Sequence, residues 1–293
     1  MQANPIFLGR DSSFWAYVKL ISEQLGYSKN GAVISHTKQA VISKFTFLKI
    51  NIEEDVLDEA LSYIEYRAEL LNSHEHYLMD AATAAKEFNK LLEIFPVDTY
   101  TSNIPMNKQS GEKKQVAYLT GIVNILTEST IRKFADFHGL EYGKDIGFNH
   151  DPRSLSYVLS EDRKLEGIMS RRFDGAFPDV KNAHLIWELK EYYYTTSFGS
   201  KISGAVYETQ LDGYEVKTIK EDTGVHINHV LIVDAHGTWW DKGKPYLCRV
   251  VDMLHAGLAD EVLLGKEVFD RWPVIVEKSL IYYKENFIDK KSI

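Results

Sequence analysis

Two apolar runs joined by a short polar turn limit most strongly what this chain can fold into. Arg172-Phe173-Asp174-Gly175-Ala176-Phe177 is followed, after Pro178-Asp179-Val180-Lys181-Asn182, by His184-Leu185-Ile186-Trp187-Glu188-Leu189-Lys190-Glu191-Tyr192-Tyr193-Tyr194. Apolar, aromatic and β-branched residues bounded by turn residues predict two strands. Each run carries a carboxylate where a strand normally buries an apolar side chain. Glu188 and Lys190 are two apart, so they share one face of their strand. If the runs pair as a hairpin, Asp174 comes alongside Glu188. Two adjacent carboxylates repel unless a cation lies between them. Oxygen ligands of this kind suit Mg²⁺, with Mn²⁺ as a substitute. A lysine beside such a cation can hold a water or a phosphate oxygen, which are the parts needed to cut a phosphodiester.

At these residues the chain resembles the PD-(D/E)XK nuclease superfamily, which includes most type II restriction endonucleases and the RecB-like nucleases. Asp174 falls on the first acidic position, and Glu188 and Lys190 fall on the (D/E)-x-K that follows. Phe173 stands where the family often has proline. Pro178-Asp179 lies nearby in the turn, with Asp179 as an alternative to Asp174. Gln210 and Tyr214, in a helix expected over 202–218, match the RecB-like Q-x-x-x-Y, and their i, i+4 spacing puts them on one helix face. A buried strand, His226 to Asp234, follows. The resemblance covers roughly residues 115–240 and implies catalytic Asp174, Glu188, Lys190, Gln210 and Tyr214. It also implies a metal held by Asp174, Glu188 and the Leu189 carbonyl, with Glu128 on the preceding helix as an added ligand. Singly, each feature has a plainer reading: a turn at Asp174-Gly175, a surface ion pair at Glu188 and Lys190, a solvated helix face at Gln210 and Tyr214.

The rest of the chain frames these motifs. The sequence has 293 residues, 44% of them hydrophobic, enough for one large domain or two ordinary ones. A single cysteine, Cys248, rules out a disulfide framework and reads as a core residue. No run of 18 apolar residues occurs, and Met1-Gln2-Ala3-Asn4-Pro5 lacks the features of a signal peptide, so a soluble, cytoplasmic protein without a membrane partner is expected. The net charge of −8 argues mildly against nucleic-acid binding, but local basic groups decide phosphate contact. No phosphate-binding glycine loop and no G-x-S-x-G elbow is present.

Helices are expected over 14–26, 53–71 and 81–95, a loop over 96–115, a helix over 115–138, and a peripheral helical region over 260–284 broken near Pro273. The fold class is α/β: a mixed central sheet flanked by helices, with a helical N-terminal region. The expected division is 1–105 for that region and 106–293 for the core. Arg171, Arg172, Lys201, Lys113 and Lys114 are the candidate DNA contacts; in a strand, at most one of Arg171 and Arg172 can line the site. The reading is a Mg²⁺-dependent endodeoxyribonuclease acting on double-stranded DNA as a homodimer, within the family a type II restriction endonuclease. The alternatives are a RecB-like repair or antiphage nuclease, or an inactive DNA-binding protein of the same fold.

Overall fold

The computed structural model describes residues 1–95, 104–109, 112–194 and 198–292. Its N-terminal part is helical. α1 (Ser12–Leu25) begins where the Asp11 side chain accepts the Phe14 N–H, and stops at Gly26, whose φ of 97° suits a residue without Cβ. After a two-stranded hairpin, β1 (Ser28–Lys29) and β2 (Ala32–Val33), come α2 (Lys38–Phe47) and α3 (Glu54–His74). α2 escaped the sequence reading, although Thr37 caps it by accepting the Ala40 N–H. Phe14, Val18, Phe45, Leu57 and Tyr63 pack these helices into a core of their own. α4 (Ala81–Ile94) follows.

The expected loop over 96–115 contains a hairpin instead: β3 (Met106–Gln109) pairs antiparallel with β4 (Glu112–Val116). The side chains of Lys113 and Lys114, in β4, lie outside the described residues. α5 (Tyr118–His138) ends at Gly139, in the left-handed region with φ 67°. A third hairpin, β5 (Tyr157–Leu159) and β6 (Leu165–Ile168), leads to β7 (Gly175–Phe177), β8 (Leu185–Glu191), α6 (Phe198–Thr223), β9 (Asn228–Asp234), α7 (Lys244–His255), β10 (Glu261–Leu264) and α8 (Glu267–Tyr283).

The central sheet has the order β10-β9-β8-β7. β7 runs antiparallel to β8, while β8, β9 and β10 are parallel neighbours. Helices cover both faces, as a parallel sheet requires. On one face Trp187, Leu189, Val230 and Ile232 pack with Ile122 of α5 and Trp272 of α8. On the other, Leu231 and Val233 pack with Ile202 and Val206 of α6 and with Leu247 and Val251 of α7. The mixed sheet flanked by helices, with a helical N-terminal region, is the expected architecture, and Cys248 is buried in its core.

The C-terminal region is not peripheral. β10 is buried along its whole length and extends the sheet. Its Glu-Val-Leu-Leu sequence is too short to separate from a helix by periodicity. α8 runs through Pro273 without breaking, since burial of Trp272, Ile275 and Val276 offsets the missing backbone hydrogen bond. Trp239 and Trp240 are buried in a π-turn, Gly237–Asp241, just after β9.

Candidate active site

Alternation along β8 divides its charged residues between two environments. Glu188 and Lys190 face α6, whereas Leu189 and Glu191 face α5. Glu191 receives the Leu119 N–H at 3.1 Å and the Thr120 hydroxyl at 2.6 Å, so its carboxyl closes the open start of α5. Burial pushes that carboxyl up to about 7, against these hydrogen bonds.

Asp174 sits at the start of β7, and the register Gly175↔Trp187 places it beside β8. Its N–H donates to the Trp187 carbonyl at 3.1 Å, and its Oδ2 accepts the Leu189 N–H at 2.7 Å. Gly175 permits this approach: a Cβ there would collide with the Trp187 indole. Asp179, the alternative acidic position, lies in the turn at the opposite end of β7, exposed and bonded to Asn149.

Around Glu188 four carboxylates and two cations interlock. Glu188 Oε1 accepts from Lys190 Nζ at 2.7 Å and from the Arg171 guanidinium. Lys190 Nζ also donates to Glu208 at 2.9 Å, and Arg171 donates to Asp212 at 3.1 Å. Asp174 joins the group through its charge on Glu188. Burial, and then repulsion from Asp174, pushes Glu188 up to about 7. Burial likewise pushes Asp212 up to about 7, against the pull of Arg171. For Lys190 burial acts downward, but Glu188, Tyr192 and Glu208 together outweigh it and hold the ammonium charged, above its ordinary value. Trp239 fixes the strand behind this lysine by donating its indole N–H to the Lys190 carbonyl at 3.1 Å.

Two oxygens in the cluster are buried without a hydrogen-bond partner: Glu188 Oε2 and Asp212 Oδ1. Bare buried carboxylate oxygens, in a cluster with more anions than cations, suit a hard divalent cation. Among the described residues no three His, Cys, Asp or Glu side chains already stand in a metal-ligand arrangement. Arg171 and Lys190 occupy the shared oxygen of Glu188 instead.

The structure therefore joins Asp174, Glu188 and Lys190, adds Arg171, and separates other expected members. Gln210 and Tyr214 line a cavity on another side of α6, with α1 and α7. The residues that reach the cluster from α6 are Glu208 and Asp212, one turn apart and two positions out of phase with Gln210. Two positions on a helix are about 200°, so both pairs cannot face one site. Glu128 is buried on α5, on the opposite side of the sheet, and pairs with Arg132 at 2.8 Å. Arg172 and Lys201 are exposed. Glu208 and Asp212 were missed because their i, i+4 pairing looks the same as that of any solvated helix face.

A family model described as a domain of unknown function, DUF7687, matches residues 79–279. The chain belongs to that family. The DUF7687 match contains every member of the carboxylate cluster. A second model, DUF7690, also a domain of unknown function, matches residues 1–74, which hold α1 to α3. No curated protein and no solved structure matches the chain.

Proposed function

We propose that this DUF7687 protein is a metal-dependent nuclease that hydrolyses DNA phosphodiester bonds, as a sequence-directed endonuclease of the type II restriction kind. The observation that carries this reading is the juxtaposition of Asp174, Glu188 and Lys190, with one Glu188 oxygen buried and bare. Element order supports it: a helix, β7 with Asp174, β8 with Glu-x-Lys, α6 and β9 follow the core order of the PD-(D/E)XK nucleases that the sequence resembles. The RecB-like alternative leaned on Gln210 and Tyr214, and it has less support now that both line another cavity.

Asp174 and Glu188, with the Leu189 carbonyl, would hold Mg²⁺ or Mn²⁺, which supplies charge neutralisation at phosphorus and a more acidic water. Lys190 is held protonated, so it serves as a donor to the attacking oxygen or to a non-bridging phosphate oxygen, not as a base. Glu208 and Glu188 grip its ammonium from two directions and fix where that donor points. Arg171, half-buried beside Lys190, offers a second donor to the phosphate. Water attacks in line with the leaving 3′ oxygen.

One such site cuts one strand of a duplex, so a two-fold homodimer is proposed for cutting both. Light scattering on cognate DNA tests that part. Among the described residues no helix is long and apolar enough to cross a membrane. Plasmid and phage DNA incubated in Mg²⁺ and in EDTA test the activity. Discrete bands in Mg²⁺ alone are expected. Smearing indicates a non-specific nuclease, and binding without cutting indicates an inactive fold. Asp174→Ala or Glu188→Ala should abolish cleavage with the fold intact; unchanged cleavage in either would overturn the assignment.

A further inference from the structure

The motif residues left unused by the carboxylate cluster sit in a site of their own. A cavity of about 590 Å³ lies between α1, α6 and α7, within the size range of small-molecule sites. Tyr207, Gln210 and Tyr214 enter it from one face of α6, Trp15 and Lys19 from α1, and Arg249 from α7. Tyr207 and Tyr214 are 60% and 51% exposed, unusual for large aromatic side chains with an apolar wall beside them. Arg249 stacks over Tyr27 at 5.9 Å and donates to the Tyr27 and Tyr207 hydroxyls, and among the described residues neither it nor Lys19 has a carboxylate partner. Of the two acids at the cavity, Asp252 has both oxygens committed to Arg67, and Glu23 is exposed at the rim. The cavity thus offers flat aromatic faces, an amide able to donate and accept, and two cations without a partner anion.

We infer that this cavity binds one unstacked nucleotide, its base against Tyr207 and Tyr214 and its phosphate at Arg249 and Lys19. Flat faces beside cations are how proteins hold unpaired bases without reading their sequence, and Gln210 can meet a base edge. The choice of a nucleotide over another flat anion rests on the nuclease reading above. Geometry ties the two sites together. Glu208 and Asp212 face the cluster while Tyr207, Gln210 and Tyr214 face the cavity, so the two lie across one helix. A helix with its side chains is about 10–12 Å wide, roughly three nucleotide steps of about 3.4 Å. A strand end crossing α6 would seat one nucleotide in the cavity with the scissile phosphate a few positions away.

The test is binding in EDTA, where nothing is cut. A fluorescein-labelled oligothymidylate is titrated by anisotropy against wild type, Tyr207→Ala, Tyr214→Ala and Arg249→Gln, with unlabelled dTMP and a short duplex as competitors. Loss of stacking at one base should weaken strand binding about tenfold in each tyrosine variant. Both tyrosines are exposed, so these variants should melt like wild type, which a thermal scan verifies. Arg249→Gln should also weaken binding and flatten its salt dependence. If dTMP competes as well as the strand, mole for mole, the site takes free nucleotides; stronger competition by the strand identifies a nucleic-acid end. Binding unchanged in all three variants, no binding by wild type, or duplex binding as tight as single-strand binding would each overturn the inference. Cleavage by wild type in Mg²⁺, assayed alongside, separates the two readings. Strand binding that depends on Tyr214 in a protein that never cuts DNA leaves the cavity assigned and removes the nuclease.

Discussion

Two buried ionic clusters in this molecule each join an arginine to an aspartate, and they differ in how far their charges are matched. In the first, Arg67 spans α3, α1 and α7: it binds both oxygens of Asp252 at 2.9 and 3.0 Å and Ser22 at 2.8 Å. Tyr63 adds its hydroxyl to Asp252 at 2.8 Å. One cation meets one anion, and both carboxylate oxygens are engaged. In the second, around Glu188, carboxylates outnumber cations and Glu188 and Asp212 each keep a bare oxygen. The first holds the N-terminal helices to the core. The second is held in place by the fold while its own charges remain in excess, as expected of a site that waits for a cation or a phosphate. The contrast teaches that charge balance and oxygen satisfaction, rather than burial, distinguish the two clusters.

The largest effect that could break this comparison is on stability. Removing one partner of a charge-matched buried pair leaves the other uncompensated, so Asp252→Ala should cost about 3–5 kcal/mol in a guanidinium melt. Glu188→Gln should instead raise stability by about 1 kcal/mol, because it removes excess buried charge. Equal losses in the two variants would erase the distinction.

Next comes Lys190→Ala, which removes a preorganised donor and should slow single-turnover cleavage in Mg²⁺ about 10²–10³-fold, while DNA binding in Ca²⁺ survives. Cleavage within a few-fold of wild type would make Lys190 an ordinary strand lysine. A divalent cation should also stabilise the second cluster alone. Mg²⁺ at a hundred times its Kd should add about 2.7 kcal/mol to wild type. Glu188→Gln should lose most of that gain. An equal gain in the variant would place the cation elsewhere.

The smallest effect is on pH dependence. Glu188 is pushed up to about 7 in the folded chain from an ordinary 4.5. Between those values the folded state holds a proton that the unfolded state has released. The contribution of Glu188 to stability is therefore full below about pH 4.5 and declines until about pH 7. Asp212, raised from 3.8 to about 7, acts in the same direction. Mg²⁺ favours the ionised carboxylate, so it should flatten this decline. Thermal melts at a series of pH values with and without Mg²⁺ read it directly, and identical slopes would count against a shared cation site.

Much of this could be read along the chain. Helices α1, α3, α4 and α5 announced themselves through apolar spacing and caps, because a helix is fixed by neighbours three and four residues away. The pairing of β7 with β8, and with it the meeting of Asp174 and Glu188, followed from two apolar runs and a short turn. Arg171 and Arg172 were expected to alternate within a strand, but they precede β7; Arg171 pairs with Glu188 and Arg172 is exposed. β10 and the β3–β4 hairpin were missed because their sequences are short and carry no period of their own.

What the sequence determined alone was therefore local: which segments are helices and strands, and which side chains share a face within each. Tertiary structure decided what each face meets. Gln210 with Tyr214 and Glu208 with Asp212 are both i, i+4 pairs on α6, and only the rotation of that helix on the sheet sends the second pair to Lys190 and Arg171 and the first to a cavity with Trp15 and Arg249. Glu128 had the right residue type on the expected helix, but α5 packs on the far face of the sheet. The rotation of a helix about its axis is set by packing against residues far away in sequence, so no local pattern encodes it.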